Sequence, residues 1–292
     1  MADDEPLKVS ARAFVALQYL LPQHFLSAVA RGMARVRTPW LKNLIIRTFV
    51  ERYRPDMSEA GQPDPCGFAT FNDFFTRTLR PGARVADPDP RAVVSPVDGT
   101  VSQLGPLDGS WLVQAKGLAY SLESLLAGAE ELTARFRGGA FATLYLAPAN
   151  YHRVHMPLPG ELRAAWYVPG QLFSVNAASA ALVPGLFARN ERVVCVFEHD
   201  SLSFALVLVG ALFVGSMSTV WHGDVRPRAP RRLELPLTGC AAPLRLPKGA
   251  EMGRFNMGST VIVLLPPGRS TWTQGSTAGS ALRVGEPLAY LA

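Results

Sequence analysis

Apolar positions change their rhythm once along this chain. From about Val9 to Arg54 they recur at helical spacing. Phe14, Leu17, Leu20 and Leu21 form one stripe, Pro22 interrupts it, and Phe25, Leu26, Val29 and Met33 resume it. That spacing gathers one side of a helix, and an internal proline breaks the ladder. Thr38 then reads as an N-cap with Pro39 at the first helical position, followed by Trp40, Leu41, Leu44, Ile45 and Phe49. Arg35, Arg37, Lys42, Arg47, Arg52 and Arg54 surround these stripes with positive charge. Two readings of the stripes stand: a basic amphipathic element on a membrane surface, or helices half-buried on the protein's own core.

Residues 56–65, rich in Pro, Gly and Asp, read as a linker, and Phe71 to Leu79 as one short helix. From Val93 onward short runs of Val, Leu, Ile, Phe and Thr alternate with turn residues. Val93–Val94, Gly99–Leu104, Trp111–Ala115, Ala140–Leu146, Glu161–Val168, Arg192–Phe197, Phe204–Val209, Ala211–Thr219 and Ser259–Leu265 are the expected strands. Tyr120 to Gly128 is an expected short helix with Ser121 as its cap. The pattern predicts an α+β, mainly β fold, with a helical region at 1–60 and a β-rich body at 61–292.

With 292 residues, 48% of them hydrophobic, the chain can bury a sizeable core. A net charge of +6 fits an anionic partner, and fits equally a basic globule with none. Cys66, Cys195 and Cys240 lie far apart with no metal spacing, so no metal site is expected and a reducing compartment is. The acidic stretch from Met1 to Pro6 does not read as a secretory signal. The longest apolar run, Phe204 to Gly215, falls short of the roughly 20 residues of a spanning helix and reads as buried strand.

Four places could carry chemistry. Asp98 lies in Ser95-Pro96-Val97-Asp98-Gly99-Thr100, by itself an ordinary turn signal. His152 and His155 lie three residues apart in Tyr151-His152-Arg153-Val154-His155-Met156-Pro157, which the nearby prolines mark as an irregular loop. Imidazole moves protons near neutral pH, but two histidines at this spacing are also compatible with one core and one exposed ring. Gly258-Ser259-Thr260 precedes an apolar run. It is either a tight turn or a place where a serine hydroxyl, activated by a base, attacks the unobstructed carbonyl before it. The fourth is the aromatic segment Phe71-Asn72-Asp73-Phe74-Phe75-Thr76-Arg77-Thr78-Leu79-Arg80-Pro81.

Taken together these segments resemble the phosphatidylserine decarboxylase family. The resemblance runs through SPVDGTVSQLG (95–105), QAKGLAYSLESLLAG (114–128), YHRVHMP (151–157), YVPGQLFSVN (167–176), LFARNERV (186–193) and EMGRFNMGST (251–260). Met257 departs from the leucine common in the family, and residues 238–248 depart most freely, as a variable loop would. The resemblance implies a barrel-sandwich-like β body with N-terminal amphipathic helices. It also implies self-cleavage at Gly258–Ser259 into chains 1–258 and 259–292, leaving a covalent pyruvoyl group made from Ser259 as cofactor and Schiff-base centre. By the same resemblance His155 is the base on Ser259, Asp98 orients that imidazole, and His152 is the candidate proton donor to the product, with His155 its competitor.

The implied substrate is phosphatidylserine in an anionic membrane, turned into phosphatidylethanolamine and carbon dioxide. The implied setting is the cytoplasmic face of a bacterial membrane, with the protein peripheral and a homodimer. Other readings are a pyruvoyl decarboxylase of a free amino acid and a non-enzymatic lipid-binding module. A serine hydrolase lacks its Gly-x-Ser-x-Gly elbow, and no basic motif marks a nucleic-acid partner.

Overall fold

The computed structural model describes residues 9–213, 216–225, 232–236 and 243–292. Helix α1 (Val9–Leu20) and helix α2 (Gln23–Ala34) are bent by 91° at Leu21–Pro22, where the proline was expected to interrupt. Helix α3 (Pro39–Tyr53) starts at Pro39 as expected, but the Thr38 side chain makes no capping bond. Proline at the first position leaves one orphan N–H fewer to satisfy. Helix α4 (Phe71–Phe75) is shorter than the expected 71–79. Thr70 Oγ1 caps it by accepting from the Asp73 N–H at 3.1 Å, and Thr76 Oγ1 closes it by donating to the Asn72 carbonyl at 2.8 Å.

The first two helices are inside out. Gln18 is 1% exposed and Gln23 and Ser27 are buried, whereas Leu20 is 82% exposed and Phe14, Leu17, Phe25, Val29 and Met33 also face outward. The buried amides dock the helices on the body. Gln18 Oε1 accepts from the Ser174 N–H and Gln23 Oε1 from the Leu172 N–H, both at 2.7 Å. Among the described residues no single helix is long and apolar enough to cross a membrane.

The body is built on a large antiparallel sheet. Its central strands run in the order Gly160–Val168, Arg192–His199, Leu202–Val209, Ser259–Leu265, Ala140–Leu146, Gly99–Pro106. Side chains alternate between two cores. Val193, Cys195, Phe204, Leu206, Val261 and Val263 enter one, while Val194, Val196, Ala205, Val207, Ile262 and Leu264 enter the other. Two buried faces are why these strands read as unbroken apolar runs. The architecture is α+β and mainly β, as the pattern predicts. Ser121 caps the helix Leu122–Leu126, its Oγ accepting from the Ser124 N–H at 3.1 Å.

Two local expectations fail. The strand expected over 211–219 is reduced to Met217–Thr219. Gly210 gives its carbonyl to Asn190 Nδ2 and Phe213 gives its N–H to Ser27 Oγ, so side chains take groups a strand would use. The loop expected around the two histidines contains the strand Arg153–His155. It belongs to a four-stranded sheet of order Gly223–Val225, Met217–Thr219, Glu251–Phe255, Arg153–His155. Its partner lies about a hundred residues downstream, beyond the reach of a local pattern. Residues 238–242 of the variable loop expected at 238–248 lie outside the described residues, Cys240 among them.

Candidate active site

The strands Glu251–Phe255 and Ser259–Leu265 belong to different sheets and are joined by three residues, Asn256, Met257 and Gly258. Crossing in so few residues forces positive φ at two in a row: 96° at Met257 and 43° at Gly258. Glycine takes such angles freely, but for methionine 96° is strained by about 1–3 kcal/mol. The strain sits one residue before the Gly258–Ser259 peptide bond.

Ser259 opens the strand that lies at the middle of the large sheet and pairs with Leu146. It is 1% exposed, and its Oγ has no hydrogen-bond partner. Thr260 Oγ1, His152 Nε2 and two nitrogens of Arg77, Nε and Nη1, are likewise buried and unpartnered. Buried polar atoms are nearly always bonded, so each orphan here calls for an explanation.

The chain leaves Leu146 by the loop that carries His152. The His152 carbonyl accepts from the Phe255 N–H at 3.0 Å, which ties this loop to the entrance of the turn. Its ring lies against Phe75, with centroids 4.0 Å apart. Nδ1 faces the Asn150 carbonyl at 2.8 Å. A carbonyl only accepts, so Nδ1 holds the proton and Nε2 presents a bare lone pair. Burial pushes this imidazole down to about 3, against the pull of the Asn150 carbonyl, and it is neutral at ordinary pH. Neutral His152 is therefore set up to take a proton first. The proton-donor role expected from the sequence requires it to be loaded beforehand.

His155 ends the strand Arg153–His155. Its N–H donates to the Pro96 carbonyl at 2.8 Å, bringing it beside the segment that carries Asp98. Nδ1 donates to the Gly249 carbonyl at 2.8 Å, and Nε2 accepts from the Tyr151 hydroxyl at 3.0 Å. Burial lowers the His155 pKa more than the Gly249 carbonyl and nearby Glu251 raise it, so this ring too is neutral and basic at Nε2. Burial also lifts the Tyr151 phenol far above its usual range, which keeps it a donor.

Asp98 corrects the sequence-based expectation. It was expected to orient His155, but both of its oxygens are taken by Arg84, through Nε at 2.9 Å and Nη2 at 2.5 Å, and Oδ1 also accepts from the Val284 N–H at 2.8 Å. A bidentate guanidinium outcompetes a single imidazole N–H for a carboxylate. The Gly249 carbonyl orients His155 instead, and Asp98 acts on that ring only through space, favouring its charged form. Arg84 in turn donates to Glu59 at 2.8 Å, and its bonds to Asp98, helped by the charges of both acids, raise its pKa further against the opposing effect of burial.

Asp98, Arg84, Arg77 and Tyr151 line a cleft of about 320 Å³. The geometry brings His155 beside the Asp98 segment and His152 beside the turn, and leaves the Ser259 hydroxyl unbonded to either ring. Sequence reasoning missed Tyr151, Arg84, Arg77 and Asn256. Tyr151, Arg77 and Asn256 lay inside segments already singled out, but nothing in their spacing marks what they touch. Among the described residues no group of three or more His, Cys, Asp or Glu is placed to hold a metal ion.

Comparison with known proteins finds relatives that span nearly the whole chain. The family described as phosphatidylserine decarboxylase matches residues 71–290, and a second, described as PSD, matches residues 13–54. The phosphatidylserine decarboxylase proenzyme of Pseudomonas fluorescens is 52% identical over 281 residues, covering 95% of this chain and 96% of that protein. The proenzyme of Methylococcus capsulatus is 48% identical over 277 residues, covering 94% and 95%. That of Bordetella pertussis is 50% identical over 277 residues, covering 94% and 93%.

Proposed function

The chain belongs to the phosphatidylserine decarboxylase family, and from that premise we propose that it is a precursor which cuts itself between Gly258 and Ser259 and then decarboxylates phosphatidylserine to phosphatidylethanolamine, a step of phospholipid biosynthesis. The observation that carries the reading is Ser259 Oγ: buried, unpartnered, and directly after a strained Met257–Gly258 turn.

In this reading Ser259 Oγ attacks the Gly258 carbonyl carbon, which Gly258 leaves without a flanking side chain. His155 takes the hydroxyl proton at Nε2 in exchange for the Tyr151 O–H that now occupies it. The Gly249 carbonyl holds the ring by Nδ1–H, and the negative charge of Asp98 favours the imidazolium as it forms. The imidazolium returns that proton to the Ser259 nitrogen as the C–N bond breaks, and an ester joins residues 258 and 259. Loss of the Ser259 Cα proton then expels the Gly258 carboxylate and leaves a dehydroalanine. One water converts that residue to a pyruvoyl group and ammonia.

Position 259 fits such a group. It is enclosed, its oxygen is not committed to another partner, and His152, on the loop tied to the entrance of the turn, keeps an unpartnered imidazole nitrogen. A pyruvoyl carbonyl supplies an electron sink for the carbanion left when carbon dioxide departs. His152 Nε2 then delivers a proton that it has first taken up, its ring held by Phe75 and the Asn150 carbonyl.

The exposed apolar side chains of the three N-terminal helices support a peripheral seat on the membrane. Leu20, Phe25 and Trp40 are 82%, 66% and 70% exposed, and basic residues flank them. Each such side chain gains roughly 1.5–3 kcal/mol on leaving water, a gain available in the acyl boundary of a bilayer. A substrate whose head reacts in water while its chains stay in lipid calls for that arrangement, on the cytoplasmic face in a bacterial cell.

The test is turnover of phosphatidylserine in mixed vesicles, followed as phosphatidylethanolamine and carbon dioxide. Product formation by the parent chain and none by Ser259→Ala is expected. Turnover of free serine without lipid, or equal activity in Ser259→Ala, would overturn the reading.

A further inference from the structure

The turn before Ser259 is held at both of its first two residues, by different chemistry. Asn256 is 2% exposed and both ends of its amide are bonded. Its Oδ1 accepts from Asn72 Nδ2 on α4 at 3.2 Å. Its Nδ2 donates to Ser216 Oγ at 2.8 Å, Ser218 Oγ at 2.9 Å and Asp224 Oδ1 at 3.2 Å. Its backbone N–H donates to the Ser216 carbonyl at 2.9 Å. Asp224 gathers the two serine hydroxyls on Oδ1, and its Oδ2 accepts from Arg35, just past the end of α2, at 3.3 Å. Next along the chain, Met257 packs against the cluster that Ala34, Ile46, Phe71, Phe74 and Phe75 form between α2, α3 and α4.

A strained backbone angle persists only where its surroundings over-determine it. Here the polar cluster fixes the residue before Met257, the aromatic cluster fixes Met257 itself, and the pairing of Ser259 with Leu146 fixes the far side. The strain then has nowhere to relax except at the Gly258–Ser259 bond.

We infer that Asn256 is a positioning residue for self-cleavage, clamping the turn through Ser216, Ser218 and Asp224, with Arg35 and Asn72 tying the clamp to the N-terminal helices. The inference rests on the self-cleavage reading and adds a role for the helices beyond any contact with lipid: they hold the precursor's turn in its strained form.

The experiment follows conversion of freshly translated chain into two chains by gel and intact mass. It compares the parent with Asn256→Asp, Asp224→Asn, the double exchange and Asn72→Ala, each checked for folding by circular dichroism. Asn256→Asp sets two carboxylates against each other and is expected to slow cleavage about tenfold, the effect of roughly 1.4 kcal/mol. The double exchange restores one amide and one carboxylate to the cluster and is expected to recover most of the rate, which a general loss of stability would not do. Asn72→Ala, off the scissile segment and uncharged, is expected to slow cleavage about threefold, and it decides the matter should Asn256→Asp fail to fold. Parental cleavage in Asn256→Asp or Asn72→Ala, or a double exchange no faster than the single, would overturn this inference alone. A parent chain that never cleaves would overturn the self-cleavage reading beneath it.

Discussion

Replacing Ser259 by alanine should abolish processing and at the same time stabilise the precursor. The hydroxyl is buried at the head of a central strand and bonds to nothing. A buried hydroxyl without a partner costs roughly 1–3 kcal/mol relative to its hydrated state. Alanine removes that cost and loses only one oxygen's worth of packing, so a net gain of about 1–2 kcal/mol is expected. The comparison must be between uncut chains, since the parent cleaves. His155→Ala supplies the background, and His155→Ala with Ser259→Ala is set against it. A gain of that size raises the melting midpoint by about 2–4 °C in a chain of this length and moves the urea midpoint with an unchanged slope. A loss of stability on removing the hydroxyl would mean that Ser259 Oγ is bonded in the precursor and not held in reserve.

Asp98→Asn should destabilise the fold by about 2 kcal/mol, because Arg84 loses half of a largely buried ion pair. It should also slow self-cleavage by about threefold to tenfold, through loss of the through-space charge that favours imidazolium at His155. Cleavage at the parental rate would reduce Asp98 to an ion-pair residue. Both imidazoles are lowered, so the unfolded chain takes up protons first as pH falls. Stability is fully present above the ordinary histidine value near 6.5 and drains away below it, for His152 down to about 3. Between pH 7 and pH 5, His152 alone should cost about 2 kcal/mol of stability, measured by urea unfolding, and His152→Gln should flatten that slope. Replacing Leu20, Phe25 and Trp40 by serine should weaken binding to anionic vesicles in a flotation assay while leaving the melting midpoint nearly unchanged, since these side chains face outward; unchanged flotation would remove the membrane seat.

The strands of the large sheet were legible because both of their faces are buried. Ala140–Leu146 and Ser259–Leu265 are largely apolar runs with few polar interruptions and needed no knowledge of their partners. The helices at the N-terminus were legible as helices but not in their orientation. Periodicity finds a stripe at Leu17, Leu20 and Phe25, and it cannot say that Gln18 and Gln23 are the side that docks. At the site, the family motifs point to Asp98, His152, His155 and Ser259, while their bonding stayed hidden. Whether Asp98 faces His155 or Arg84 depends on contacts between segments far apart in the chain, which no spacing encodes. The same holds for Tyr151 on His155 Nε2 and for the strand Arg153–His155, whose partner strand Glu251–Phe255 is remote. The strain at Met257 was invisible for a different reason: methionine gives no sequence sign of a positive φ, which appears only when two sheets must be joined by three residues.

The most direct measurement is the intact mass of the purified protein under denaturing conditions. Two chains, 1–258 and 259–292, are expected, the smaller beginning with a pyruvoyl group in place of serine. A single species of 31.6 kDa that stays whole on incubation with phosphatidylserine vesicles would contradict self-cleavage.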